Sequence, residues 1–298
     1  MKILVTGSEG MLGRDVIPRL EARGFDVGGH DIDRLDITRR EQVSRVMEAL
    51  APELVINCAA YTAVDRAESE PGQAFAVNRD GTGYLAGTCA GQGIPLIHVS
   101  TDYVFDGRST RPYKEDDEVN PLGVYGRSKL EGEESVRSSL EEHLIVRTSW
   151  SFGVNGHNFV KTMLKLAGER DELRVVADQH GCPTWTGHLG DALARLAEQV
   201  HENRDNLKWG TYHFCGQGMT TWYDFAACVV EEAGKRTKLR ASRIVPIKAS
   251  DYPTAAKRPA WSVLDCSKME RTFQIYQGDW HEGLSKVLDS LLLGGQEY

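Results

Sequence analysis

Short β-rich runs alternate with helical stretches through the first half of the 298-residue chain. A glycine-rich turn follows the first run, and no repeat or low-complexity linker interrupts the pattern. These observations predict an α/β fold: a Rossmann-type doubly wound parallel sheet with a smaller, partly interleaved α/β substrate-binding domain. In this reading residues 1–149 form the dinucleotide-binding part, joined by parts of 185–215 and 255–268, and residues 150–298 are mainly the substrate-binding part.

Each element has its own reason. Lys2–Thr6 carries Ile3, Leu4 and Val5 and predicts the first strand. Residues 11–23 place Leu12, Val16 and Leu20 four apart, as one helix face requires. Pro18 falls inside that helix and disfavours its continuation by about 3 kcal/mol, so a distortion is expected there. Asp26–His30 and 54–58 predict further strands, and the apolar runs in 95–100 and 143–147 read as buried parallel strands. Helices are expected over 42–50, 74–92 and 123–140. After Trp150 the rhythm loosens: helices are expected over 161–170, 189–200, 222–235 and 284–293, and 242–259, rich in Pro, Ala and Ser, reads as an ordered loop over a site. This half is too short and irregular to predict a large core of its own.

Hydrophobic content of 41% and charged content of 26% are ordinary for a globular protein. The formal charge of −8 argues against broad nucleic-acid binding and leaves room for a small anionic substrate held by local basic groups. The six cysteines make no C-x-x-C pair and read as free thiols in a reducing compartment. No apolar run approaches the ~20 residues of a membrane span and no basic leader opens the chain, so a cytoplasmic protein is expected.

Gly7, Gly10 and Gly13 directly follow the first strand, where glycines permit a tight turn, close approach of a pyrophosphate and close helix–strand packing. Asp31, at the end of the second strand, is placed to read the adenosine ribose and to favour NADH, with Arg34 near enough to soften its repulsion of a 2′-phosphate. Tyr125 and Lys129 lie four apart and share a helix face. A phenol, with a pKa of ~10, carries a proton at neutral pH, and a neighbouring ammonium lowers the cost of giving it away. Thr101, where a buried strand ends, offers a hydroxyl to a carbonyl beside Tyr125, and Asp102 and Tyr103 are placed to meet substrate hydroxyls. The pattern points to carbonyl reduction or alcohol oxidation.

Several longer segments, Asn57 to Asp65, Ser100 to Phe105, Asn120 to Lys129, Arg147 to Trp150, Asn158 to Met163, Asp178 to Thr184 and Arg258-Pro259, give a resemblance that spans nearly the whole chain. On them the sequence resembles the dTDP-4-dehydrorhamnose reductase family of the extended short-chain dehydrogenases/reductases. The resemblance implies Thr101, Tyr125 and Lys129 as the catalytic trio, and Gly10, Met11, Leu12, Asp31, Ala59, Ala60 and Tyr61 around NADH or NADPH. It places Thr62, Val64, Thr101, Tyr103, Tyr125 and Trp150 against a nucleotide-sugar whose C4 keto group is reduced. Members described as magnesium-bridged dimers use three acidic positions; here Asp15 stands at the first, but Gly187 and His281 stand at the others, so no metal is expected and the chain is a monomer or homodimer. Two other readings stay open: another nucleotide-sugar reductase or epimerase, and a non-catalytic dinucleotide-binding subunit.

Overall fold

The computed structural model describes residues 1–293; the last five residues of the 150–298 segment lie outside it. In the first half, strands and helices follow one another as β1 (Lys2–Thr6), α1 (Gly13–Glu21), β2 (Asp26–His30), α2 (Arg40–Leu50), β3 (Leu54–Asn57), α3 (Val64–Ala67), α4 (Pro71–Phe75), α5 (Thr82–Gln92), β4 (Leu96–Thr101), α6 (Val124–Ser139) and β5 (His143–Thr148). A π-helical stretch, Ala76–Gly81, joins α4 to α5. The second half contributes β6 (Ser151–Phe152), α7 (Phe159–Glu169), β7 (Glu172–Val176), β8 (His180–Gly181), β9 (Thr184–Trp185), α8 (Thr186–Asn203), β10 (Gly210–His213), β11 (Thr220–Thr221), α9 (Trp222–Gly234), β12 (Arg243–Ile247), α10 (Ser267–Phe273) and α11 (Trp280–Leu292).

The central sheet has six strands in the order β10-β5-β4-β3-β1-β2, all parallel. Alternation along β1 builds both faces: Ile3 and Val5 join Val16 and Leu20 of α1 and Leu189, Leu193 and Leu196 of α8. Leu4 points the other way, to Val43 and Met47 of α2, Leu85 of α5 and Val136 of α6. The parallel order puts every strand's C-terminal end on one edge, and the connections diverge between β1 and β3, where a doubly wound sheet opens a crevice for ligand. Residues of the second half return to this sheet as α8, packed on α1, and as β10 at its edge.

Three expectations need correction. Residues 242–259 are not all loop: β12 pairs in parallel with β7, with Ile244 opposite Leu173. The second half also gathers a core of its own, in which Phe152, Val160, Phe225, Val229, Trp280, Leu284 and Leu288 meet as α7 and α9 pack on the β7/β12 pair and α11 packs on α9. Its apolar residues are spread over helices far apart in sequence, which hid that core from a local reading. Helix α1 is shorter than 11–23 and runs through Pro18 to Glu21.

Helix α6 is pressed onto its neighbours. A Cβ on Gly126 would collide with the Tyr103 carbonyl oxygen, and one on Gly132 with that of Asn78. Behind it, Glu133 accepts from Arg147 Nε at 2.9 Å and Nη2 at 2.7 Å, with both side chains buried, and Arg137 also pairs with Glu133. Burial works against the Glu133 charge, but the two arginines more than offset it and hold the carboxyl below its ordinary range. Arg147→Met leaves Glu133 only the half-buried Arg137, and is expected to cost about 3 kcal/mol in urea unfolding; a loss below about 0.5 kcal/mol would show the pair to be dispensable.

Candidate active site

The glycine turn forms at the end of β1. Gly7 has φ +65°, and a Cβ there would stand 2.7 Å from the Ala59 amide nitrogen, so this turn is pressed against the loop that leaves β3. A Cβ on Gly13 would strike the Gly7 carbonyl oxygen, and Gly10 donates its N–H to that same oxygen at 3.1 Å. The cradle therefore excludes side chains, and the amides of Met11, Leu12 and Gly13, at and just before the start of α1, have no partner within a helix. Asp31 sits at the end of β2, where its carboxylate accepts from the Glu9 N–H at 2.8 Å and the Ile32 N–H at 2.8 Å. It braces the glycine turn.

Across the crevice, Ala59 donates to Asn57 Oδ1, and Tyr61 exchanges two hydrogen bonds with Asn78: its N–H donates to Oδ1 at 2.9 Å and its carbonyl accepts from Nδ2 at 3.1 Å. Asn78, fully buried in the π-helical stretch, also donates to Ser128 of α6 at 2.9 Å. It ties the 59–61 loop to the helix that carries Tyr125 and Lys129. No sequence signal marked Asn78, because a π turn has no periodic signature.

Thr101 ends β4, and its hydroxyl donates to Asp102 Oδ1 at 3.0 Å and accepts from the Tyr103 N–H at 3.2 Å. Tyr103 and Tyr125 meet edge to face with ring centroids 5.6 Å apart. Burial pushes the Tyr125 phenol up to about 12, the Thr101 hydroxyl pulling it back by a hydrogen bond and the Asp102 carboxylate adding to the rise. Burial lifts the Asp102 carboxyl to about 7, against hydrogen bonds from Ser262 and Thr101. Lys129 is 2% exposed, and burial brings its ammonium down to about 8, against the pull of Glu133 and Cys58. Its nitrogen donates to the Val99 carbonyl at 2.7 Å and lies 3.4 Å from His98 Nε2. The structure thus brings Thr101 and Tyr125 together and sets Lys129 one turn deeper, on the backbone of β4 and not on the phenol.

A cleft of about 930 Å³ opens beside Tyr103. Thr62, Val64 and Tyr103, all anticipated, share its walls with Phe159, Trp222 and the basic residues Arg170, Arg174, Lys257 and Arg258. In a chain of net charge −8, these cations make a local site for an anion. Asp65 pins the covering segment: it accepts from Arg258 at 2.7 Å and from the Ala256 N–H at 3.1 Å. Trp150 has φ 45° and stacks on Trp222 at 3.5 Å between centroids, so Trp222 meets the cleft and Trp150 backs it. Asn158 lines the cleft and reaches Met11 Sδ at 3.7 Å, joining the two sides of the site. The basic residues come from the end of α7, from β7 and from the segment after β12, too far apart in sequence to read as one cluster.

The three positions compared with the magnesium set each have their own contacts. Asp15 accepts from Thr186 and Arg19, Gly187 has no room for a side chain against Trp185, and His281 pairs with Asp279 at 2.8 Å. Among the described residues no group of His, Cys, Asp and Glu is arranged to hold a metal ion.

A glycine cradle at the sheet crevice, with a Tyr-x-x-x-Lys helix and a strand-end threonine beside it, defines an extended short-chain dehydrogenase/reductase. The family model described as RmlD substrate binding domain matches residues 1–293. A dTDP-4-dehydrorhamnose reductase of Sinorhizobium fredii is 44% identical, with both chains covered in full. Crystal structures agree: a dTDP-4-dehydrorhamnose reductase of Clostridium acetobutylicum (39% identity, 98% of this chain and 99% of that one, TM-score 0.89) and one of Bacillus anthracis in complex with NADP (35%, 96% and 98%, TM-score 0.87). The chain belongs to the dTDP-4-dehydrorhamnose reductase family.

The buried acid gives a stability test. Unfolded, the Asp102 carboxyl releases its proton near pH ~4; folded, it holds it to about 7, so stability falls as pH rises through that window. Asp102→Asn removes this loss, and its melting temperature should gain on the unmodified protein as pH rises from about 4 to about 7 and hold that gain above it. A difference independent of pH would show that Asp102 ionises freely.

Proposed function

We propose that the protein reduces the C4 keto group of dTDP-4-dehydrorhamnose (dTDP-4-dehydro-6-deoxy-L-mannose) to give dTDP-L-rhamnose, using NADPH or NADH. The observation that carries this reading is the junction of two features at one sheet edge: the side-chain-free dinucleotide cradle, and the Thr101–Tyr125 pair beside a basic cleft sized for a nucleotide-sugar. A bound nicotinamide supplies the hydride. Gly7, Gly10 and Gly13 let the turn approach the pyrophosphate, the amides of α1 face it, and Asp31 with Arg34 stands at the ribose end. Lys129, anchored on Val99, holds a positive charge below the phenol.

Tyr125 keeps its proton across the neutral range because burial disfavours the phenolate. Proton transfer to the sugar oxygen is therefore driven by the charge that develops there, and the Thr101 hydroxyl, which donates to Asp102 Oδ1 in this structure, would turn its one proton to the same oxygen. Arg170, Arg174, Lys257 and Arg258 meet the diphosphate, and Phe159 and Trp222 give the base a ring surface. Among the described residues no helix is long and apolar enough to cross a membrane, in keeping with a sugar-nucleotide substrate met in water.

The test is loss of nicotinamide absorbance with dTDP-4-dehydrorhamnose and NADPH or NADH in parallel. Stoichiometric oxidation with dTDP-L-rhamnose as product is expected; dinucleotide binding without oxidation would favour a non-catalytic subunit. Tyr125→Phe should lower kcat by about 10²–10⁴-fold with dinucleotide binding retained, and unchanged turnover would remove Tyr125 as the proton donor. As pH rises through about 8, Lys129 loses its charge, so kcat should fall there. Lys129→Met should be slow and flat across that range, and a limb that persists in it would assign the titration elsewhere.

A further inference from the structure

A chain of buried polar groups runs from the dinucleotide loop to Lys129, and every side chain in it is at most 2% exposed. The Ala59 N–H donates to Asn57 Oδ1 at 3.1 Å, and Thr6 Oγ1 donates to the same oxygen at 2.6 Å. Asn57 Nδ2 lies 3.0 Å from His98 Nδ1, and His98 Nε2 lies 3.4 Å from Lys129 Nζ.

The direction of this chain follows from its first member. A backbone N–H cannot be turned round, so Ala59 fixes the oxygen of Asn57 toward itself and leaves the amide NH₂ toward His98. An amide NH₂ only donates, so Nδ1 must accept. Deep burial, with Lys129 and Arg137 of α6 and His143 of β5 nearby, keeps the imidazole neutral. A neutral imidazole has one N–H, which is then on Nε2 and faces the lysine nitrogen. An ammonium has no lone pair to receive it. That explains why Lys129 makes its shorter contact with the Val99 carbonyl, at 2.7 Å.

We propose that His98, held as its Nε2–H tautomer by Asn57 and the Ala59 amide, is a positioning residue for Lys129: it turns the ammonium onto Val99, disfavours the charged form, and so links the dinucleotide loop to the protonation of the lysine. The importance of this link for turnover rests on the role given to Lys129 above. The tautomer itself does not. The other titratable groups that act on Lys129 are Glu133 on α6 and Cys58 after β3, and both favour its charge; His98 meets it instead with an N–H turned toward the lysine nitrogen at 3.4 Å.

The test is ¹⁵N NMR of the full chain labelled at histidine, with the His98 resonances assigned by their loss in His98→Gln. The expected spectrum has Nε2 protonated and Nδ1 bare, with an Nε2 shift that follows a titration absent in Lys129→Met. A proton on Nδ1, or an Nε2 shift indifferent to Lys129, overturns the proposal. In His98→Gln the side-chain amide can turn its oxygen to the ammonium, and the alkaline limb of kcat should move up by roughly one pH unit, the size of a charge-assisted hydrogen bond. A limb that stays in place contradicts the positioning role, whereas normal turnover in Lys129→Met would instead sink the catalytic reading of the lysine and leave the tautomer standing.

Discussion

The buried ion pair of Glu133 with Arg147 is the constraint on which the site depends. Arg147 belongs to β5 and Glu133 to α6, so the pair locks the rotation of the helix to the sheet. A buried carboxylate left unpaired would be costly, so α6 has few alternative settings. Lys129 lies one turn before Glu133 and Tyr125 two turns before it, and both inherit that setting. The glycines at 126 and 132 then allow the helix to sit against the backbone of Tyr103 and Asn78 at a distance no side chain would permit.

From that fixed helix the electrostatics follow. Burial raises the Tyr125 phenol and lowers the Lys129 ammonium, and it raises Asp102 beside them. All three shifts disfavour charge, so the interior of the site is a low-dielectric place where a proton is retained until an oxygen that needs it arrives. The basic residues Arg170, Arg174, Lys257 and Arg258 lie farther out, along the cleft. On the proposed reading, this separation would let a ligand be held by charge at one end and reduced by neutral donors at the other.

The sequence made the sheet legible because its strands are buried apolar runs separated by amphipathic helices, and Ile3, Leu4 and Val5 alone announce both faces. The glycine turn, Thr101 and the Tyr125/Lys129 spacing were legible because backbone approach and proton chemistry demand those residue types. The lysine's real anchor was not. Spacing places Lys129 on the phenol's face of a helix, but only the fold shows the Val99 carbonyl and His98 waiting for it. Likewise Arg170, Arg174 and Lys257 form one basic wall only after α7, β7 and the segment beyond β12 come together. Trp150 showed as a site residue in the sequence, yet its ring supports Trp222. The strand β12 escaped notice because Pro246 interrupts the short apolar run Ile244–Ile247 inside a segment rich in Ala, Ser and Pro, whereas parallel pairing with β7 settles its conformation.

The central claim is that one crevice holds dinucleotide and sugar so that hydride passes directly between them while Tyr125 supplies the proton. The measurement that tests it most directly is isotope transfer from NADPH deuterated on the transferred face of nicotinamide C4, with dTDP-4-dehydrorhamnose as acceptor and the product read by NMR. Deuterium at C4 of the sugar, one atom for each dinucleotide oxidised, is the predicted result. Product that carries no label, or carries it at another carbon, would contradict the account.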